Sequence, residues 1–113
     1  MLVAAEREEI VGYLILGPWV TLPAAAHVGE VNGLAVAPSR QGEGIGGRLL
    51  EAAIERSRRQ NLRRLVLRVL SSNPGARRLY ERHGFEVEGA RREAFLLRGA
   101  YVDDLLMGLD LGR

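Results

Sequence analysis

The sequence predicts one α/β domain, residues 1–113, in which helices flank a mixed β-sheet. Apolar periodicity gives the element order β-β-β-α-β-α-β-β, so some strands are joined by hairpins and others by helices. A chain of 113 residues with 47% apolar and 27% charged residues can bury one core but has little room for a second. Cysteine is absent, which excludes disulfides, thiolate metal sites and a cysteine nucleophile.

Short apolar runs predict the first three strands. Residues 2–5 and 10–16 flank a charged turn, as in a β-hairpin, and a Gly-Pro pair at residue 17 ends the second run. Residues 27–36 form a third extended segment. The uncharged stretch 10–29 is not expected to span a membrane, because glycines and prolines interrupt it and acidic residues precede it. We therefore expect a cytoplasmic protein without a membrane partner.

The middle of the chain predicts a helix and a buried strand. A glycine-rich turn, residues 41–47, opens the helix, which has an apolar stripe on one side and charged residues on the other. The stripe consists of Ile45, Leu49, Leu50, Ala53 and Ile54. Residues 65–70, Leu-Val-Leu-Arg-Val-Leu, then predict a mostly buried strand.

The last third of the chain predicts a short helix and a long hairpin. Asn73 is placed as the helix N-cap, Pro74 occupies the first helical position, and Gly84 lies just past the end. From Phe85 onward, two long strands surround a turn at residues 97–100. These elements complete the mixed sheet.

The glycine-rich turn has the features of a phosphate site. Backbone N–H groups in the first turn of a helix lack intrahelical partners, and the helix dipole adds partial positive charge. Glycine lets the backbone approach an anion without a Cβ in the way. Four of the six residues 42–47 are glycine, which favours a binding role over a merely tight turn. Arg40, beside the turn, is expected to neutralise a further phosphate oxygen.

Two other phosphate-binding motifs fit less well. Gly42, Gly44 and Gly47 satisfy Gly-x-Gly-x-x-Gly, but the dinucleotide-binding motif expects an acidic residue near the end of the next strand. That strand carries Arg68 and no carboxylate. A P-loop would need a Lys-Ser/Thr pair, and the chain contains no lysine.

Charge favours an anionic partner without identifying it. All sixteen cations are arginine, the pI is about 9.7 and the formal net charge is +2. A nucleotide cofactor and a nucleic acid would both satisfy this preference. Carboxylates are interleaved with the arginines, which is typical of solvated helix faces, so we expect no nucleic-acid partner. No cluster of His, Asp and Glu in the sequence indicates a metal, and none is expected.

Three ordered segments of the chain match known motifs. Residues 34–47 contain a Val-x-Pro followed by Gln/Arg-x-x-Gly-x-Gly/Ala. Residues 73–85 contain Asn-x-x-Ala-x-x-Leu-Tyr-x-x-x-Gly-Phe. The residues that match, in these two segments and in the last strand, are Val36, Pro38, Gln41, Gly44, Gly46, Asn73, Ala76, Leu79, Tyr80, Gly84, Phe85, Gly99, Asp103, Met107 and Leu109. On these residues the chain resembles the GNAT superfamily of N-acetyltransferases.

The resemblance implies a mixed, splayed sheet with acetyl-CoA in the splay. The main chain of Leu34, Ala35 and Val36 would pair with the pantetheine arm, as another strand would. Asn73 would hydrogen-bond the pantetheine, and Tyr80 would stand near the thioester sulfur. The pyrophosphate would lie on Gly42, Glu43, Gly44, Ile45, Gly46 and Gly47, with Arg40 and Gln41 beside them.

Tyr80 is the candidate general acid and Glu30 the candidate general base. A phenol with a pKa near 10 can give its proton to a departing thiolate with only a modest uphill step. Strand alternation places Glu30 on the face that carries Asn32 and Leu34, unless a bulge intervenes. Partial burial would raise the pKa of its carboxyl, which suits a base. Histone acetyltransferases of the superfamily have a carboxylate at the matching place.

The resemblance implies an acetyl-CoA-dependent N-acetyltransferase that transfers the acetyl group directly in a ternary complex. The acceptor would be a primary amine of a small metabolite, a peptide or a protein N-terminus. Acetyltransferases of ribosomal-protein N-termini carry a glutamate where this chain has Arg68, so that activity is not expected to transfer. The alternative is a CoA-binding fragment or subunit without turnover.

The match begins at the second strand of the family pattern. The usual first strand and first two helices, which help to build the acceptor pocket, therefore have no counterpart before Met1. Without them we expect an exposed sheet edge and uncovered apolar surface. A homodimer would bury that surface, and otherwise it would promote aggregation.

Overall fold

The computed structural model describes residues 1–112 and contains one six-stranded sheet and two α-helices. The strands are β1 (Leu2–Glu6), β2 (Glu9–Pro18), β3 (Val28–Val36), β4 (Arg64–Leu70), β5 (Glu86–Leu97) and β6 (Ala100–Asp110). The helices are α1 (Ile45–Arg59) and α2 (Pro74–Arg82), and short 3₁₀ turns occupy Pro23–Ala25 and Pro38–Arg40. The predicted element order is confirmed.

One strand boundary differs from the prediction by more than one residue. Gly17 and Pro18 continue β2, opposite Glu30 and Gly29 of β3, so the Gly-Pro pair does not end the strand at residue 16. Proline is tolerated there because it is the last residue of the strand and no further ladder position depends on its missing N–H.

The sheet is splayed between its two central strands. Its order is β1-β2-β3-β4-β6-β5, and every neighbouring pair is antiparallel except β3 and β4. These two pair only from Val28 to Glu30, opposite Arg64 to Val66. Residues 31–36 of β3 therefore have no strand partner on the β4 side. The splay that the resemblance implied is confirmed.

Both helices pack on the same face of the sheet, which we call the helix face. The apolar stripe predicted for α1 is buried there against Leu14, Leu65 and Met107 of the sheet. Tyr80 of α2 and the adjacent Phe85 belong to the same core. Ser57 is also buried, and its Oγ donates a hydrogen bond to the carbonyl of Ala53 at 2.8 Å.

The opposite side of the sheet, which we call the open face, carries no helix of the described chain. Val3, Tyr13, Ile15, Trp19 and Leu106 are 39–50% exposed on or beside it. The uncovered apolar surface that we expected is therefore present. No helix among residues 1–112 is long and apolar enough to cross a membrane.

The start and end of α2 follow the sequence prediction. The side-chain oxygen of Asn73 accepts a hydrogen bond from the backbone N–H of Ala76 at 3.1 Å, and Pro74 is the first helical residue. Gly84 has a φ of +96°, the left-handed conformation that glycine adopts most readily. The position of Tyr80 follows from a helix with both ends fixed in this way.

Candidate functional site

A cleft of about 650 Å³ lies on the helix face where β3 separates from β4. The first turn of α1 and one side of α2 form its other walls. It brings together most of the predicted cofactor residues, namely Leu34, Val36, Arg40, Gln41, Gly42, Gly44, Ile45, Gly46, Gly47 and Asn73, together with Tyr80. It does not include Ala35, Glu43 or Glu30.

Four further residues of α2 line the cleft without having been predicted. They are Gly75, Ala76, Leu79 and Arg82. Ala76, Leu79 and Arg82 are spaced three residues apart and so share one side of the helix. This spacing was visible in the sequence and could have identified Arg82 as a second cation at the cleft.

The glycine-rich turn leaves the start of α1 without a side-chain cap. Gly44 is the N-cap residue, with φ +83°, and Gly42 has φ +89°. The first amide groups of the helix therefore have neither intrahelical partners nor a capping oxygen, and the residues that carry them line the cleft. A Cβ at Gly46 would lie 3.4 Å from the Leu79 side chain, and one at Gly47 would lie 3.4 Å from His83. These two glycines thus also allow close packing of α1 on α2.

Gln41 ties the turn to the end of β3. Its side-chain amide donates a hydrogen bond to the carbonyl of Val36 at 3.2 Å. That contact spans the chain reversal between strand and turn, so it holds the start of α1 beside the unpaired part of β3.

Arg40 has carboxylate partners that its place in the sequence does not reveal. Its Nε and Nη2 donate hydrogen bonds to Glu43 at 2.9 and 2.8 Å, and its guanidinium also pairs with Glu6 at the end of β1. Hydrogen bonding to these carboxylates raises the pKa of Arg40, and the same bond to Arg40 lowers the pKa of Glu43. The predicted phosphate contact of Arg40 would compete with two carboxylates. Glu6 lies 34 residues away in sequence, so no local sequence pattern predicts its contact with Arg40.

Tyr80 is almost fully buried beside the cleft. It is 8% exposed, and its ring meets the ring of Phe85 edge-on at a centroid distance of 6.0 Å. Burial raises the pKa of its phenol above the ordinary value near 10. The side chain therefore remains neutral at physiological pH and can donate a hydrogen bond or a proton.

A bulge in β3 corrects the predicted orientation of Glu30. Ile15 pairs with Gly33 and Leu16 with Val31, so Asn32 is an extra residue. Leu34 pairs with the buried Leu14 and faces the helices, whereas Glu30 pairs with Val66 and faces the open side. The expectation that Glu30 and Leu34 share a face was therefore wrong. The bulge shifts the alternation by one residue, as an inserted residue must.

On the open face, Glu30 borders a pocket of about 290 Å³ with Arg68 and Asp104. Nε of Arg68 donates a hydrogen bond to one carboxylate oxygen of Asp104 at 2.8 Å, and Nη2 lies 2.6 Å from the same oxygen in an ion pair. Asp104 is only 4% exposed. Burial raises the pKa of Glu30, and the nearby Arg68 opposes that shift. Asp104 was missed because the β4–β6 register that brings it to Arg68 joins residues 36 apart.

A third pocket connects the cleft with the open face. It is lined by Tyr80 and Asn73 from the cleft side and by Asn32, Arg68 and Leu70 from the open side. We call this pocket, which lies in the gap between β3 and β4 and is lined from both faces of the sheet, the passage. Among residues 1–112 there is no group of three His, Asp or Glu side chains placed to hold a metal ion.

Comparison with known proteins agrees with this geometry. The sequence model of the Acetyltransferase (GNAT) family matches residues 1–85. The L-methionine sulfoximine/L-methionine sulfone acetyltransferase of Pseudomonas aeruginosa is 34% identical over 113 residues, which cover 98% of this chain and 64% of that protein. This chain therefore spans about 64% of the length of that relative.

Two solved structures share the fold. One, from Streptococcus mutans, superposes with a TM-score of 0.92 at 33% identity, over 97% of this chain and 68% of the other. The second, from Salmonella typhimurium, was solved with its cofactor acetyl-CoA and superposes with a TM-score of 0.90 at 28% identity, over 98% of this chain and 64% of the other.

Proposed function

Because the chain belongs to the GNAT acetyltransferase family, we propose that it binds acetyl-CoA in the cleft and transfers the acetyl group to a primary amine. The observation that carries the proposal is the uncapped start of α1, which opens into a cleft that continues through the splayed sheet. Free helical amides favour the diphosphate at one end of the cleft, and the passage leaves room for a thioester and an amine at the other.

The unpaired part of β3 fits the pantetheine arm. The amide groups of the pantetheine arm can hydrogen-bond the backbone of Leu34, Ala35 and Val36, because that backbone has no strand partner on the β4 side. This role needs only the main chain of Ala35, whose side chain lies outside the cleft. The amide nitrogen of Asn73 remains as a donor, since its oxygen caps α2.

Transfer then proceeds directly, without a covalent enzyme intermediate. The amine nitrogen attacks the thioester carbonyl carbon, the C–S bond breaks, and the acetyl group becomes an amide. Tyr80 lies between the cleft and the passage, and gives its proton to the departing thiolate. Glu30 takes the proton that the amine loses, from the open face. With these roles, the acceptor enters the site from the open face.

The acceptor that we propose is a small metabolite, a peptide or a protein N-terminus that carries a primary amine. The sulfoximine and sulfone substrates named for the Pseudomonas relative support a small metabolite first. The second candidate is a CoA-binding chain without turnover. This candidate is suggested by the comparison of lengths, because about a third of the relative has no counterpart in these 113 residues.

Two measurements on the same purified chain test the proposal. Calorimetric titration with acetyl-CoA should show binding to one site, and free-thiol release should rise when amines are added in turn from a panel. Binding without thiol release for any amine would favour the second candidate. A folded chain that binds neither CoA nor acetyl-CoA would rule out both.

A further inference from the structure

We propose that Arg68 and Glu30 form a subsite for a free α-amino acid, in which Arg68 binds the carboxylate and Glu30 the amino group. This inference rests on the proposed function and deepens it, since it assigns the class of acceptor. The subsite lies on the open face, at the mouth of the passage that leads to Tyr80.

Arg68 borders both the pocket that contains Glu30 and the pocket that contains Tyr80. A ligand group held by Arg68 would therefore lie at a pocket that the candidate acid also borders. No other cation lines both pockets among the described residues.

Arg68 keeps hydrogen-bond donors that Asp104 does not use. Asp104 uses Nε and Nη2 and fixes the plane of the guanidinium, while Nη1 has no hydrogen-bond partner among residues 1–112. The Arg68 side chain is 57% exposed, whereas that of Asp104 is 6% exposed. A guanidinium held on one edge by a buried carboxylate can bind a second carboxylate through its outer N–H groups.

The surroundings of Arg68 combine a carboxylate with apolar side chains. Glu30 stands beside Arg68 without a hydrogen-bonded cation of its own in the described chain, so it offers an acceptor for an ammonium group. Phe95 borders the pocket of Glu30 and Asp104, and Trp19 and Leu106 border a neighbouring pocket that also includes Glu30 and Arg68. These three residues are 41–50% exposed and provide apolar contact. A cation and an anion next to an apolar wall match an α-amino acid with an apolar side chain. A peptide N-terminus has no α-carboxylate to use Arg68.

The test compares acceptors that differ only in the carboxylate. L-leucine, L-methionine and L-phenylalanine are each assayed for free-thiol release against their amides and their decarboxylated amines. For at least one of the three, the native chain should prefer the amino acid about tenfold or more in kcat/KM. Arg68→Gln should remove that preference, because it should lower kcat/KM for the amino acid at least about fivefold more than for its decarboxylated amine at the same pH. Arg59→Gln, on the outer side of α1 with a side chain 71% exposed, is the matched control.

Direct binding keeps the inference separate from turnover. Each amino acid is titrated by calorimetry into the protein with saturating CoA, and into the free protein if CoA does not bind. Loss of binding in Arg68→Gln, with Arg59→Gln unchanged, supports the subsite even where no acetyl transfer occurs. Arg68→Lys replaces the glutamine variant if that variant does not fold, and should weaken binding because the planar donor pair is lost.

Three results would overturn the subsite. One is equal use of amino acids and their decarboxylated amines by the native chain. Another is an equal loss with every acceptor in Arg68→Gln, which would mark a structural role. The third is failure of all three amino acids to bind. In each case acetyl-CoA binding and thiol release with other amines could persist, so the proposed function would stand or fall on its own measurements.

Discussion

At the scale of single residues, Tyr80 and Glu30 have different surroundings that suit opposite proton transfers. Burial against Phe85 keeps the Tyr80 phenol protonated. Glu30 lies on the other side of the sheet, where partial burial raises the pKa of its carboxyl and Arg68 limits the rise. In the reaction that we propose, Tyr80 therefore acts on the thioester from the helix face and Glu30 acts on the amine from the open face.

Replacement of the Tyr80 hydroxyl should slow turnover without weakening cofactor binding. In Tyr80→Phe the ring still packs against Phe85, but no proton reaches the departing thiolate. We expect kcat to fall about 100-fold or more, the range for loss of a general acid, while the calorimetric Kd for acetyl-CoA stays within about twofold. Tyr101→Phe, at a position 65% exposed, is the control. A Tyr80→Phe enzyme with native kcat would exclude the phenol as the acid.

The pH profile should report the Glu30 carboxyl. As a base it works only when ionised, so kcat/KM should fall as pH drops through its pKa, which burial raises above the ordinary value. Arg68 lowers that pKa by Coulombic attraction, so Arg68→Gln should move the acidic limb to higher pH. Glu30→Gln should abolish the limb. A decarboxylated amine serves as acceptor, so that the loss of carboxylate binding does not interfere.

An acidic limb that is unchanged in Glu30→Gln would remove Glu30 from the mechanism. A limb that moves to lower pH in Arg68→Gln would contradict the electrostatic coupling between the two side chains, because removal of a nearby cation can only make a carboxylate harder to ionise.

At the scale of elements, the junction between β3 and α1 creates the site. The Asn32 bulge lies next to the last β3–β4 pair, and bulges bend and twist the strand that carries them. The strand then leaves its neighbour, and its unpaired backbone faces the start of α1. Gln41 links the two by its bond to the Val36 carbonyl. The splay and the free helix start are thus parts of one local arrangement.

Added charge at the start of α1 should abolish cofactor binding. Gly44→Asp places a carboxylate at the N-cap, where it would accept from the free amides and repel a diphosphate. We expect the calorimetric Kd for acetyl-CoA to rise about 100-fold or more, equivalent to about 2.7 kcal/mol. Gly99→Asp is the matched control, because Gly99 also has positive φ, +81°, with open space around it at the β5–β6 turn. Native affinity in Gly44→Asp would show that the diphosphate lies elsewhere.

At the scale of the whole molecule, the sheet separates two environments. One side is covered by both helices and forms the core, and the other presents apolar side chains at 39–50% exposure. Apolar patches of this kind on a small protein promote association. The open face also contains the pockets in which we propose that the acceptor binds, so self-association there would influence access to them.

The open face should cause concentration-dependent self-association. In sedimentation analysis of the native chain we expect the average mass to rise with protein concentration. Ile15→Lys, on the open face of β2, should reduce that rise because it places a charge in the apolar patch. Ser39→Lys, an exposed position in the Pro38–Arg40 turn outside the patch, controls for added charge. A native mass that does not depend on concentration would contradict this expectation.

Local sequence signals predicted the elements, the caps of α2 and most of the cleft. Hydrophobic period, helix caps and clustered glycines act over a few residues, so the chain reveals them without its fold. Residues 41–47 lie together in the structure because they are neighbours in sequence. Asn73 and Tyr80 of the second motif were assigned to the same cleft by the resemblance to the GNAT superfamily.

Only the tertiary structure decided what surrounds Glu30, Arg40 and Arg68. A single extra residue at Asn32 reversed the expected relation of Glu30 to Leu34, and sequence alternation contains no mark of that insertion. Glu6 and Asp104 reach their arginine partners from 34 and 36 residues away. Strand pairing brings distant residues together through register, and register depends on the whole sheet rather than on any one segment.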